Sequence, residues 1–130
     1  MPYCCRSHVS KALNHARQRS LKGSKILVLG VAYKPDISDT RESPALKLIH
    51  LLEGAGADVA YHDPHVPSFE ENGLAMSSSP LEPAAYDCVV VVTNHSEIDY
   101  DALVDDALLV VDLRNATGHN GSRSDKVWKL

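Results

Sequence analysis

Acidic residues are missing from the first 35 positions, which carry Arg6, Lys11, Arg17, Arg19, Lys22, Lys25 and Lys34, while all 17 aspartates and glutamates lie further on. A basic stretch can track nucleic acid. Here, however, aromatics make up only 5% of the chain, and neither stacking rings nor Arg/Gly repeats accompany the cations,. The basic end reads as a solvated face, and nucleic acid is not expected as a partner. Cysteine is scarce: Cys4, Cys5 and Cys88 form no even, spaced framework and read as reduced thiols,. No run of eighteen apolar residues is present to span a membrane, and the first residues lack the basic-then-apolar order of a secretory signal,. A cytoplasmic location is expected.

A further absence is local. The stretch GVAYKPDISDTRESP, Gly30 to Pro44, lies between an apolar run and a helical one, where a dinucleotide-binding turn would sit. A G-x-G-x-x-G turn starting at Gly30 needs glycine at 32 and 35, but the chain has Ala32 and Pro35,. Backbone amides are then poorly placed to cradle a pyrophosphate. Lys34 and Arg41 would have to reach phosphates with their side chains.

What is there reads as one α/β domain: 130 residues with 44% hydrophobic content suffice for one core,. Cys5, Val9, Ala12, Leu13 and Ala16 share one face of an N-terminal helix running to about Arg19, with a linker over residues 20–24. Lys25 to Leu29 is a short apolar run suited to a central parallel strand. A helix follows, with Ser43 as cap, Pro44 in its first turn and Gly54 and Gly56 as its stop. Asp58 to His62 predicts a second strand. Residues 64–83, with several prolines and Ser77-Ser78-Ser79, predict loop with one short helical turn. Cys88 to Thr93 is the most strand-like segment, Tyr100 to Asp105 predicts a brief helix, Leu108 to Leu113 another strand, and Lys126 to Leu130 a stretch able to pair at a sheet edge. Strands alternating with helices predict a three-layer, Rossmann-like α/β domain with a mainly parallel sheet, preceded by the N-terminal helix.

In such sheets ligands collect beyond the carboxyl ends of the strands. Four clusters qualify: Tyr33, Lys34, Asp36, Asp39 and Arg41; His62, Asp63 and His65; Thr93, Asn94 and His95; Arg114 and Asn115. The first connection is long for a strand-to-helix loop, and long loops tend to be functional. Lys34 is a mobile point charge and Arg41 a two-pronged fork, both suited to phosphate; alternatively Lys34 is solvated and Arg41 pairs with Asp39 or Glu42. Asp63 can hold a ribose hydroxyl or simply open a turn before Pro64. His62 and His65 lack a third ligand nearby, so no metal site is expected. Cys88 reads as a small buried hydrophobe, and no nucleophile stands out.

The stretches LVLGVAYKPDISDTRESPALKLI, VAYHDPHVP and VVDLRN resemble the C-terminal domain of the UDP-glucose/GDP-mannose dehydrogenase family, and among its members the UDP-N-acetylhexosamine 6-dehydrogenases. The likeness runs from about Lys22 to Leu130. Residues 1–21 resemble the end of the helix joining that family's central and C-terminal domains, with its linker, which leaves residues 22–130 as a nucleotide-sugar-binding domain. The resemblance implies an NAD-dependent oxidoreductase of polysaccharide biosynthesis that oxidises a sugar C6 alcohol to a carboxylate. It further implies that Tyr33 and Lys34 contact a UDP-sugar, that Arg114 lies near the substrate, and that Arg41 reaches NAD held by another domain. No Gly-Gly-x-Cys motif and no G-x-G-x-x-G turn occur in these 130 residues. The chain is therefore expected to be a fragment, a truncated product or one piece of a split enzyme, inactive alone and binding NAD weakly. A non-catalytic binding or interaction module is the alternative. An apolar stripe on the N-terminal helix would either pair two copies, meet missing N-terminal domains, or fold back on the chain itself.

Overall fold

The computed structural model describes residues 9–14, 22–31, 44–71, 74–93, 98–113 and 127–129. Residues 9–14 are helical. Strand β1 (Lys25–Leu29) leads by way of helix α1 (Pro44–Gly54) to β2 (Asp58–His62). A hairpin of β3 (Ser68–Glu71) and β4 (Leu74–Ser77) and a 3-10 turn (Pro83–Ala85) precede β5 (Cys88–Val91), helix α2 (Tyr100–Asp106), β6 (Val110–Asp112) and β7 (Val127–Lys129).

Five strands form one sheet in the order β2-β1-β5-β6-β7, and every neighbouring pair is parallel. Counting only these strands, the order is 2-1-3-4-5, that of a doubly wound sheet whose direction of winding reverses between β1 and β5. The side-chain alternation of β1 divides the core in two. Ile26 and Val28 belong to a cluster with Ala45, Leu48, Ile49 and Leu52 of α1, whereas Leu27 and Leu29 face Leu103 and Ala107 at α2. The helices thus cover opposite faces, giving the three layers expected. Because β1, β5 and β6 are covered on both sides, their buried positions run without alternation,. At the edge, β2 alternates buried and partly exposed positions instead.

Pro44 starts α1, where its missing N–H costs nothing,. Beyond Gly54 the chain turns through Gly56 (φ 94°), and the Ala57 amide donates back to Leu52 at 3.1 Å,. In α2 the Asp99 carboxylate accepts from the Ala102 amide at 3.2 Å, an N-cap,. Val9, Ala12 and Leu13 are fully buried in the same cluster as Ile26, Leu52 and Tyr61. That part of the apolar stripe is covered by the chain's own core. Cys5 and Ala16 lie outside the described residues, as does the proposed cap Ser43.

The largest departure from the sequence reading is the β3–β4 hairpin, where a loop was expected. Phe69 and Tyr61 explain why it forms: their rings pack at 5.1 Å and 53°, tying the hairpin to the edge strand,. The Tyr61 hydroxyl donates to the Val66 carbonyl at 2.8 Å, and the Ser79 amide donates to the Tyr61 carbonyl at 2.7 Å. These bonds cover part of an otherwise open sheet edge. The strand expected at 108–113 is shorter, limited to β6, and β7 does pair at the far edge.

Candidate functional site

Register places the strand ends side by side. His62 pairs with Leu29, Leu29 with Val91, Val91 with Asp112, and Asp112 with Lys129. The four loop clusters singled out from the sequence therefore leave from a single row along one edge of the sheet. Arg114 follows Asp112 by two residues, which limits their Cα separation to about 7 Å. Lys34 follows Leu29 by five, within about 18 Å. Tyr33, Lys34, Asp36, Asp39, Arg41, Asn94, His95, Arg114 and Asn115 all lie outside the described residues.

At the switch between β1 and β5 the backbones approach closely. Gly30 has φ 89°, and a Cβ built on it would lie 2.6 Å from the Thr93 Cβ and 3.0 Å from the Thr93 backbone nitrogen. Both the unusual φ and the lack of room require glycine here. Thr93, buried, donates its amide to the Leu29 carbonyl at 3.3 Å, as does Val92 at 3.0 Å. The Tyr100 hydroxyl reaches the Thr93 carbonyl at 3.4 Å. Glycine at position 30 thus serves strand packing and the exit of the chain from β1.

On the other side of β1, Asp63 is 1% exposed. Its Oδ1 accepts the His65 amide at 2.8 Å and its Oδ2 accepts the Val31 amide, also at 2.8 Å, while its own amide donates to the Ser78 Oγ at 3.1 Å. Of the two readings of Asp63, the bond to His65 is that of a turn opener. The bond to Val31 spans 32 residues and follows from no local pattern; only the adjacency of β1 and β2 makes it visible.

The Nδ1 of His62 lies 2.8 Å from the Ser79 carbonyl. Among the described residues no group of three His, Cys, Asp or Glu side chains could hold a metal. Burial pushes the Cys88 thiol well above its usual range, in keeping with a packed strand residue and not a nucleophile,. Also among the described residues, no helix is long and apolar enough to cross a membrane.

Comparison with known proteins gives this arrangement a family. The model described as UDP-glucose/GDP-mannose dehydrogenase family, UDP binding domain, matches residues 27–119. The chain is 33% identical to a UDP-N-acetyl-D-mannosamine dehydrogenase of Methanococcus vannielii, the match covering 99% of this chain and 29% of that protein. It is 38% identical to a UDP-glucose 6-dehydrogenase of Rhizobium meliloti over 73% of this chain and 24% of the other. Among solved structures, an NDP-N-acetyl-D-galactosaminuronic acid dehydrogenase from Methanosarcina mazei superposes with a TM-score of 0.80 at 25% identity, covering 99% of this chain and 28% of that one. The chain spans less than a third of the length of each of these relatives. On the match across residues 27–119, the chain belongs to the UDP-glucose/GDP-mannose dehydrogenase family, in the part that is its UDP binding domain.

Proposed function

We propose that residues 22–130 hold the nucleotide end of a UDP-sugar for an NAD-dependent sugar 6-dehydrogenase, with residues 1–21 as the connecting helix and linker. The observation that carries this reading is the common carboxyl edge of β1, β2, β5 and β6 within a chain of this family. Tyr33 and Lys34 follow β1 and bind the ligand, Lys34 through the diphosphate; Arg114 follows β6 and contributes to substrate binding. Arg41 turns toward NAD, which another domain would hold. The chemistry itself, a C6 alcohol taken to a carboxylate in two hydride transfers, needs a nucleophile and a nicotinamide brought together at the substrate. These 130 residues contain no Gly-Gly-x-Cys motif and no G-x-G-x-x-G turn. The chain by itself binds UDP but oxidises nothing, and it works in the cytoplasm.

Calorimetric titration with UDP tests this directly. Binding should be weak, because a ligand enclosed by two domains loses much of its buried area when one is absent. A charge-assisted hydrogen bond contributes roughly 1.5–3 kcal/mol, so Lys34→Ala should weaken the Kd by about tenfold or more. Unchanged affinity in that variant would remove the diphosphate role from Lys34. Absence of UDP binding by the unmodified chain would favour the interaction-module reading, and NADH formation from UDP-sugars would overturn the claim that it is inactive alone.

A further inference from the structure

We propose that Asp63 is a positioning residue for the nucleotide site: its carboxylate holds the Val31 amide just past the end of β1 and so fixes the chain at the point from which it continues toward Tyr33 and Lys34. This inference rests on the UDP-binding reading. The backbone ladder between the two strands ends with the Gly30 amide donating to the His62 carbonyl at 2.9 Å. Past the end of β1 the chain turns at Gly30 (φ 89°), and the following amide, that of Val31, donates to the Asp63 Oδ2 at 2.8 Å. Because Oδ1 is held by the His65 amide, and the Asp63 amide by Ser78, the carboxylate cannot rotate without breaking a second bond. Gly30 is pressed against Thr93 from the other side. The chain is therefore clamped between β2 and β5 immediately before it runs into Tyr33 and Lys34, two and three residues past Val31.

The carboxylate is needed for its two acceptors. In Asp63→Asn one oxygen becomes an NH2 group facing a backbone N–H, so one of the two amides loses its partner. Asp63→Ser keeps a short acceptor for the His65 amide in a serine-type turn but cannot reach Val31, which separates the local turn from the long-range clamp. Both variants should weaken UDP binding by about tenfold, the loss of one charge-assisted bond's worth of positioning. In Asp63→Ser the Val31 amide should lose protection from hydrogen exchange while the His65 amide keeps it, and in Asp63→Asn one of the two amides should lose it. Ile49→Val, in α1 and away from the edge, serves as the control for general destabilisation and should leave UDP affinity unchanged,.

Wild-type UDP affinity in folded Asp63→Asn and Asp63→Ser chains would overturn the proposal, as would an equal loss in Ile49→Val. Failure of both Asp63 variants to fold would also overturn it, since the residue would then be holding the whole domain and not one loop. If the unmodified chain binds no UDP, the UDP reading fails first, and this inference falls with it.

Discussion

Gly30 is the residue whose requirement is easiest to put in numbers. An alanine there would meet the Thr93 Cβ at 2.6 Å and the Thr93 backbone nitrogen and oxygen at 3.0 Å, while holding φ at 89°. The backbone of Thr93 has little freedom to give way, because its amide donates to the Leu29 carbonyl and its carbonyl accepts the Tyr100 hydroxyl. Overpacking costs about 1–3 kcal/mol and the left-handed backbone about 1–2 more. Gly30→Ala should therefore lower stability by roughly 2–5 kcal/mol in urea titration; a loss below 1 kcal/mol would mean that the β1–β5 contact gives way easily. The glycine itself was legible as the residue that ends β1, because it directly follows Lys25 to Leu29. Its tight fit against Thr93 was not, because the partner lies 63 positions away and becomes a neighbour only through strand order. Asp63 was half legible for the same reason: its turn with His65 is local, its bond to Val31 is not. Lys34 and Arg41 stood out by the length of the loop they occupy and their fit to phosphate, whereas the specific roles of Tyr33, Lys34, Arg41 and Arg114 came from resemblance to a family and remain proposals.

Elements with one strong period were read well. Lys25–Leu29, Asp58–His62 and Cys88–Val91 are apolar or alternating runs, and α1 carries Pro44 at its start and glycines at its end. The β3–β4 hairpin was missed because its strands are four residues each and flanked by prolines and serines. A signal was present nonetheless: Glu71 pairs with Leu74, leaving Asn72-Gly73 between them, and Asn-Gly between short strands is the strongest local mark of a hairpin,. The N-terminal helix was read from its stripe, but a stripe alone does not name what covers it. Val9, Ala12 and Leu13 have no exposure and share a cluster with Ile26 and Leu52. Leu13→Ala should then destabilise the whole domain by about 2–5 kcal/mol, as a core truncation does. Measured by urea or heat, a cost under 0.5 kcal/mol would mean that residues 9–14 add nothing to the stability of the domain.

At the scale of the molecule, the doubly covered sheet buries groups that titrate at alkaline pH. Cys88 lies in β5 within the cluster that packs against α1, and burial, with Asp87 adding to it, holds its thiol protonated far above the usual range despite an opposing hydrogen bond from Val111. Tyr61 is pushed up to about 12 by burial and then by the nearby Asp63 charge. In the unfolded chain these groups ionise near 8.5 and 10. Above about pH 8.5 the unfolded state therefore binds fewer protons than the native one, and stability falls as pH rises. The full contribution is present below pH 8.5, the thiol begins to erode it there, and the phenol joins from about pH 10 until the native Tyr61 ionises near 12. One group costs at most 1.36 kcal/mol per pH unit, so Cys88 alone should remove about 2 kcal/mol by pH 10. Urea midpoints measured from pH 7 to 10 should decline above 8.5 in the natural chain and stay level in Cys88→Ala, which loses some stability at every pH but has no thiol to ionise. Equal slopes in the two proteins would assign the alkaline loss to a group other than Cys88.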